Sequence, residues 1–229
     1  MSTEMQNNLV TLSGTVVDQP IFSHEVFGEK FFDVTLCVKR MSGMDDMLPV
    51  SVSEHLMANG LFTVGNQVTI RGQFRSYNKT VGEKSKLMLT VFAREAGPLD
   101  ETVNSNQLVL TGYICKAPVY RKTPFNREIC DVLLAVNRQY NKSDYIPCIV
   151  WGRNARFVSM LEVGEHITLV GRVQSRSYQK KLDDSTVVTK TAYEVSVSKV
   201  SLVDGNPQDA TPRRGSNARS EYSGQSPKA

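Results

Sequence analysis

The chain has 229 residues and a formal net charge of +4, with 40% hydrophobic and 22% charged residues. This balance is typical of a globular protein of about two domains, and no apolar run reaches the ~18 residues that a membrane helix needs. The first residues lack a basic region followed by an apolar stretch, so no secretory signal is predicted and a cytoplasmic location is expected.

The charge is unevenly distributed along the chain. Residues 1–100 contain nine Lys+Arg against eleven Asp+Glu, whereas residues 101–203 contain fourteen against nine. The positive excess in the second half favours a polyanionic partner, with chance asymmetry between two solvated surfaces as the alternative.

The sequence repeats itself at a constant spacing. Residues 12–14, 20–22, 32–40 and 48–50 recur about 98 residues later, with roughly a dozen identities over about 45 aligned positions. The repeat continues through 68–72 after a one-residue insertion. We therefore predict two homologous domains, 1–100 and 106–203, and a tail over 204–229 that is too poor in apolar residues to fold and is predicted to be disordered.

The hydrophobic period inside each repeat is two, which predicts strands. Phe32, Val34, Leu36 and Val38 alternate with more polar residues, as in a half-buried strand. In the second repeat the pattern predicts strands near 108–115, 129–137, 145–151, 166–177 and 190–200.

A short helix is predicted between the third and fourth strands, over 53–59 in the first repeat and 152–161 in the second. Five strands with a helix at this position indicate an all-β chain of two tandem five-stranded OB-fold barrels. An immunoglobulin-like sandwich is the alternative, but it needs about seven strands and no helix.

The same period separates the two faces of each strand. In the third strand of the second repeat, Ile146, Cys148 and Val150 share the predicted core face, and Tyr145 and Trp151 lie on the other. Aromatic rings interleaved with arginines on a β-face are typical of a site for single-stranded nucleic acid, because rings stack on bases and guanidinium groups bind phosphates. On the fourth strands the outward positions include Arg71, Arg75 and Tyr77 in the first repeat and Arg172, Arg176 and Tyr178 in the second.

Basic residues in two connections of the second repeat add to this predicted site. Connections between OB-fold strands flank the binding groove, although a solvated loop is the ordinary reading of such charges. The residues are Arg121, Lys122 and Arg127 after the first strand and Lys180 and Lys181 after the fourth.

Nothing in the sequence predicts catalysis, a metal site or a cofactor. The three histidines are scattered, and the four cysteines form no C-x-x-C pair and are predicted to be buried free thiols. Asp45-Asp46 and Asp183-Asp184 fall in predicted turns, where solvated carboxylates are expected. An enzyme is therefore not expected.

Three segments of the second repeat, 138–140, 145–155 and 171–178, resemble bacterial single-stranded DNA-binding proteins. The resemblance implies base stacking on Tyr140, Tyr145, Trp151 and Tyr178, with Arg138 and Arg153 beside them. The matching positions of the first repeat hold Ser42, Met47, Ser53 and Tyr77, so its binding face is expected to be degenerate and the second domain to bind most of the nucleic acid.

The resemblance also implies a function and an assembly. It implies sequence-independent binding and protection of single-stranded DNA in replication, recombination or repair, near the nucleoid, and a homodimer that brings four barrels together. The family typically ends in an acidic tip that recruits replication and repair proteins. The sequence ends in Gly-Gln-Ser-Pro-Lys-Ala, so recruitment through such a tip is not expected here, and replication or repair proteins stay open as partners. RNA as the ligand, and an OB-fold adaptor of a primosome or recombination complex that acts mainly through protein contacts, stay open as alternatives.

Overall fold

The computed structural model describes residues 6–82, 84–181 and 187–203. At 81, 84, 180 and 181 only the backbone is described. The tail over 204–229, predicted to be disordered, lies outside the described residues. No helix in the described ranges is long and apolar enough to span a bilayer.

The two halves of the chain have the same order of elements. The first half contains β1 (Asn8–Val16), β2 (Ile21–Val26), β3 (Glu29–Lys39), β4 (Asp45–Ser53), α1 (Glu54–Met57), β5 (Gln67–Val81) and β6 (Lys84–Pro98). The second half contains β7 (Asn106–Ile114), β8 (Val119–Lys122), β9 (Glu128–Asn137), β10 (Ser143–Trp151), α2 (Gly152–Val158), β11 (His166–Lys181) and β12 (Val187–Leu202).

Five strands in each half close into a barrel. In the first half β1 pairs with both β5 and β3, β3 with β4, β4 with β6 in parallel, and β6 with β5, which completes the ring. The second half repeats these pairings from β7 to β12. With a short helix between the third and fourth barrel strands, this is the predicted OB-fold architecture.

Each half also contains a short strand that the hydrophobic period did not predict. Every residue of β2 and of β8 is exposed. These strands pair only with the outer edges of β3 and β9, so they have no core-facing side and leave no alternation in the sequence.

The barrel interiors follow the predicted alternation. Ile146, Cys148 and Val150 are buried, and Ile167 and Leu169 of β11 pack in the same core. All four cysteines are free thiols; Cys130 and Cys148 are buried, and burial raises the pKa of the Cys130 thiol to about 11.

Glycines allow the barrel strands to approach each other closely. A Cβ on Gly171 would lie 2.3 Å from the backbone oxygen of Ser196, at the point where the β11–β12 register shifts. Gly72 of β5 has the same relation to Phe92. No side chain fits between these backbones without moving a strand.

Substitution of Gly171 by valine is therefore expected to lower the free energy of unfolding by at least about 1–3 kcal/mol, since overpacking displaces backbone. Urea unfolding measures the loss. Gly97→Val is the matched control, because a Cβ at Gly97 meets no atom within 4 Å. Equal losses in both variants would show that the close approach at Gly171 does not limit stability.

The two barrels join through their first strands. β1 and β7 pair antiparallel, with Asn8 opposite Leu110 and Leu12 opposite Asn106, so that the strands form one continuous sheet. The Asn8 side chain bonds the backbone N–H and C=O of Phe74, and the Asn106 side chain does the same to Val173. The repeats are thus related by an approximate two-fold axis, as two subunits of a dimer would be.

Candidate nucleic-acid interface

The outward surface of β10, β11 and β12 brings several of the predicted binding residues together. The ring nitrogen of Trp151 donates to the hydroxyl of Ser196 at 3.1 Å, and Ser196 lies opposite Arg172 in the β11–β12 pairing. Further along β11, the Arg176 guanidinium lies 5.9 Å from the centre of the Tyr178 ring. We call this surface, from Tyr145 and Trp151 to Arg172, Arg176 and Tyr178, the second-barrel face.

The aromatic side chains of this face differ in their exposed fraction. Tyr145 is 48% exposed and Tyr178 is 38% exposed, whereas Trp151 is partly buried against Ser196. Ile149, which shares the outward side of β10, is nearly buried. The two tyrosines therefore have solvent-exposed rings on which a base could stack, while Trp151 lies deeper in the second-barrel face.

Tyr140 lies in the turn between β9 and β10, in an unusual backbone conformation. Its φ is +61°, a left-handed value that side chains other than glycine rarely adopt, and the ring is 90% exposed. Packing gives no reason for an aromatic residue at this position. Such strain is concentrated at functional sites, so the geometry favours a binding role for the ring.

The sequence analysis missed two acidic residues, one on β12 of the second-barrel face and one on the adjoining strand β9. Glu194 is nearly buried, accepts a hydrogen bond from Gln174 at 2.8 Å and lies 3.6 Å from Arg176. Asp131 forms an ion pair with Arg121 at 2.5 Å, which raises the pKa of Arg121. A bound phosphate must share these arginines with carboxylates already present. Both acids lie at outward-facing positions in the alternation of β9 and β12, so this pattern in the sequence could have identified them.

The remaining predicted basic residues lie around the edge of the second-barrel face or away from it. Arg153 is exposed on α2, and Lys122 and Arg127 are exposed near the β8–β9 turn. Arg71 of the first barrel pairs with Asp100 at 3.3 Å. The predicted Lys180 and Lys181 lie at the end of β11, and their side chains are outside the described set.

A buried aspartate lies at each of two contacts between the barrels. At the first, the Asp46 seam, the carboxylate of Asp46 accepts hydrogen bonds from Arg40 at 2.5 and 2.7 Å and from the Ser175 N–H at 2.6 Å. Arg172 approaches it at 3.4 Å. Burial alone would raise the pKa of Asp46, but these donors outweigh it and the pKa lies below its ordinary value.

The two-fold equivalent, the Asp144 seam, is less well satisfied. Asp144 accepts a hydrogen bond from the Ser76 N–H at 2.7 Å, but Arg138 lies 3.4 Å and Arg75 3.9 Å from its oxygens. Burial dominates here and raises the pKa of Asp144. The prediction that Asp46 is a solvated turn residue was wrong. Its side chain is fully buried between the barrels, where it accepts a hydrogen bond from Ser175 of the other barrel.

The first barrel carries aromatic rings that the family positions did not reveal. His24 stacks on Phe31 at 5.0 Å between ring centres, Phe31 lies 5.7 Å from Phe92, and the Arg75 guanidinium lies 5.7 Å above Phe92. Tyr77, on the same side, is 45% exposed. Phe31 and Phe92 are outward positions of β3 and β6, so the alternation of those strands could have identified them.

Comparisons with known proteins identify a family and several relatives of this chain. The model of the Single-strand binding protein family matches residues 105–203. Single-stranded DNA-binding protein B of Bacillus subtilis (strain 168) is 30% identical over 111 residues, which cover 45% of this chain and 95% of that protein. Single-stranded DNA-binding protein 1 of Lactococcus lactis is 32% identical over 92 residues, which cover 37% of this chain and only 61% of that protein.

A solved structure is similar over both barrels. The crystal structure of a deletion mutant of the single-stranded DNA binding protein from Thermus aquaticus has a TM-score of 0.64 and 20% identity. The match covers 88% of this chain and 98% of that chain. At this identity the likeness shows the fold, and its extent includes the tandem arrangement.

Proposed function

The chain belongs to the single-strand binding protein family, and from this membership and the site geometry we propose that it binds and protects single-stranded DNA without regard to sequence. It is a nucleic-acid-binding protein and not an enzyme. Replication, recombination or repair, close to the nucleoid, is the setting that such binding serves.

The observation that carries the proposal is the second-barrel face. The rings of Tyr145 on β10 and Tyr178 on β11 are exposed there, and β11 carries Arg172 and Arg176 on the same side as Tyr178. Every base has a ring face on which to stack, so such a surface holds a strand without reading its sequence. Tyr140, Arg138 and Arg153, and the loop residues Arg121, Lys122 and Arg127, extend the site at its edges.

We propose that the second domain, 106–203, makes most of the contacts with nucleic acid, because the four aromatic residues of the family pattern lie there. A homodimer would present four barrels, with the tandem chain already supplying the equivalent of one dimer. RNA is the alternative ligand, since stacking and phosphate contacts do not distinguish the sugars. The alternative to nucleic-acid binding as the main function is an adaptor of a primosome or recombination complex, which would act mainly through contacts with other proteins.

Titration of Trp151 fluorescence tests this function directly, because the chain contains one tryptophan. Oligo-dT is expected to change the emission strongly and duplex DNA weakly. Binding should weaken with salt, with a slope of log K against log salt of about −0.7 for each phosphate contacted. No response to oligo-dT at low salt would reject the proposal and favour the protein adaptor; a stronger response to oligo-rU would identify RNA as the ligand.

A further inference from the structure

Two strands of the chain have free outer edges. β2 and β8 are the first and last strands in the order of the 12-stranded sheet, and among the described strands each pairs with one neighbour only, β3 or β9. Every residue of both strands is exposed. A free edge carries unpaired backbone N–H and C=O groups, which are a template for pairing with another extended chain.

The hairpin that joins β2 to β3 has an exposed aromatic residue in its turn. Phe27 and Gly28 have φ values of +50° and +83°, the two positive values of a tight two-residue hairpin turn. Glycine, asparagine or aspartate is preferred at these positions, yet Phe27 occupies the first and is fully exposed. Phe22 and Val26 of β2 are exposed as well. Contiguous exposed apolar side chains are typical of a surface that contacts a partner.

The same turn directs the backbone of Glu25 towards the free edge of β2. Val26 and Glu29 close the turn as a hydrogen-bonded pair, so the next pair, Glu25 and Lys30, is a non-hydrogen-bonded one. The Lys30 N–H instead donates to the Glu54 carboxylate at 3.4 Å. The N–H and C=O of Glu25 therefore point away from β3.

The backbone of Lys122 has the equivalent orientation on β8. The Thr123 N–H donates to the Arg127 carbonyl at 2.8 Å, which closes the turn between β8 and β9. The next pair, Lys122 and Glu128, is then a non-hydrogen-bonded one. The N–H and C=O of Lys122 therefore point to the free edge of β8.

The charges of the two edges are opposite. The hairpin over 21–30 contains two glutamates and one lysine, whereas the hairpin over 119–128 contains three basic residues and one glutamate. Basic residues on an edge strand oppose pairing between identical edges, because like charges then lie directly opposite each other. The edge of β8 is therefore better suited to β2 than to a second β8.

We propose that β2 of one chain pairs antiparallel with β8 of a second copy, with Glu25 opposite Lys122. Each backbone supplies the N–H and C=O groups that the other edge leaves unpaired. The contact joins different surfaces of the two chains, so it does not close on itself and repeats into a linear array. On DNA, a consequence that rests on the function proposed above, the array aligns copies along one strand and raises the affinity for long strands over short ones.

Disulfide trapping tests the contact without DNA. Chains carrying Glu25→Cys and chains of different mass carrying Lys122→Cys are mixed at high concentration and oxidised. An adduct with one copy of each is expected, since Cα atoms in a hydrogen-bonded pair lie about 5.5 Å apart, within reach of a disulfide. In the control mixture Glu101→Cys, at an exposed position between the barrels, replaces Glu25→Cys.

The native cysteines are present in every mixture, so the control corrects for them. No excess of adduct over the control mixture overturns the contact. An adduct of Glu25→Cys with itself in the same yield as the mixed adduct also overturns it, and identifies pairing of β2 with a second β2.

Charge reversal tests the consequence on DNA. Anisotropy of labelled oligo-dT of ~15 and ~150 nucleotides compares a strand that one OB fold covers with one that holds many copies. Glu25→Lys is expected to lower the ratio of long-strand to short-strand affinity about fivefold, since a favourable cross-strand pair becomes a repulsive one. Adding Lys122→Glu should restore the ratio, and the control Glu101→Lys should leave it unchanged. Loss of a DNA contact at Lys122 affects both lengths, so the ratio reports the contact between copies.

The results separate this inference from the proposed function. Wild-type protein that binds neither oligonucleotide contradicts the proposed function, and the disulfide adduct still decides the contact. Wild-type protein that binds, with a ratio that Glu25→Lys leaves unchanged, overturns the array on DNA and leaves the proposed function standing. Excess adduct, together with a ratio that falls in Glu25→Lys and returns in the double variant, supports the proposal as a whole.

Discussion

Replacing Asp46 with alanine is expected to lower the free energy of unfolding by about 3–5 kcal/mol, because it breaks a buried ion pair by removing one partner. The Asp46 side chain is fully buried, and Arg40, which depends on it, is 19% exposed. The substitution also frees the Ser175 N–H, which reaches Asp46 from the other barrel. Urea unfolding of the purified protein measures the loss, from the midpoint at unchanged slope.

Asp45→Ala is the matched control for this substitution. Asp45 is the adjacent carboxylate on the same strand and is exposed, so its removal should change stability by less than about 0.5 kcal/mol. A loss below about 1 kcal/mol for Asp46→Ala would contradict the assigned role of the carboxylate. It would mean that water or a rearranged loop satisfies Arg40 equally well.

The pH dependence supplies an independent check on Asp46. Its pKa is lowered in the folded protein, so the unfolded chain binds the proton more readily. The stability that Asp46 contributes is therefore present in full above its unfolded pKa of about 3.9, and is lost as pH falls through the folded value. The difference between wild type and Asp46→Ala should be large at pH 7 and shrink as the pH is lowered below 4.

The alternation of the sequence predicted the barrels because burial imposes it. Ile146, Cys148 and Val150 face a closed core on one side, and the residues between them face outward, so period two is forced on the strand. Because the sequence repeats, the strands predicted for one half also predicted those of the other, and each element recurs there in the same order. The strands β2 and β8 were not predicted, because strands exposed on both sides show no alternation of apolar and polar residues.

Contacts between the barrels could not be predicted from local pattern. Asp46 lies in a segment with two adjacent carboxylates, which indicates a solvated turn, and its partner Ser175 is 129 residues away. Phe92 was missed for a different reason. The family pattern places rings on the third barrel strand, where the first repeat has Ser53, whereas Phe92 lies on the last strand, in the place that Ser196 holds beside Trp151.

Stacking of a base on Trp151 is part of the proposed function of the second barrel. Trp151→Leu is expected to weaken binding of oligo-dT by about 1–3 kcal/mol, the loss found when a stacking ring is removed. At about 1.4 kcal/mol for each factor of ten, the dissociation constant should rise between roughly fivefold and 150-fold. The variant contains no tryptophan, so anisotropy of a labelled oligonucleotide is the measurement.

The ring is partly buried, so binding and packing must be separated. Ser196→Ala removes the acceptor of the Trp151 N–H while leaving the ring in place, and should change affinity much less than Trp151→Leu. Trp151→Phe retains an aromatic surface and should fall between wild type and Trp151→Leu. If Trp151→Leu loses thermal stability while its affinity below the melting temperature stays at the wild-type value, the ring serves the barrel's packing, and stacking on this face belongs to the exposed tyrosines.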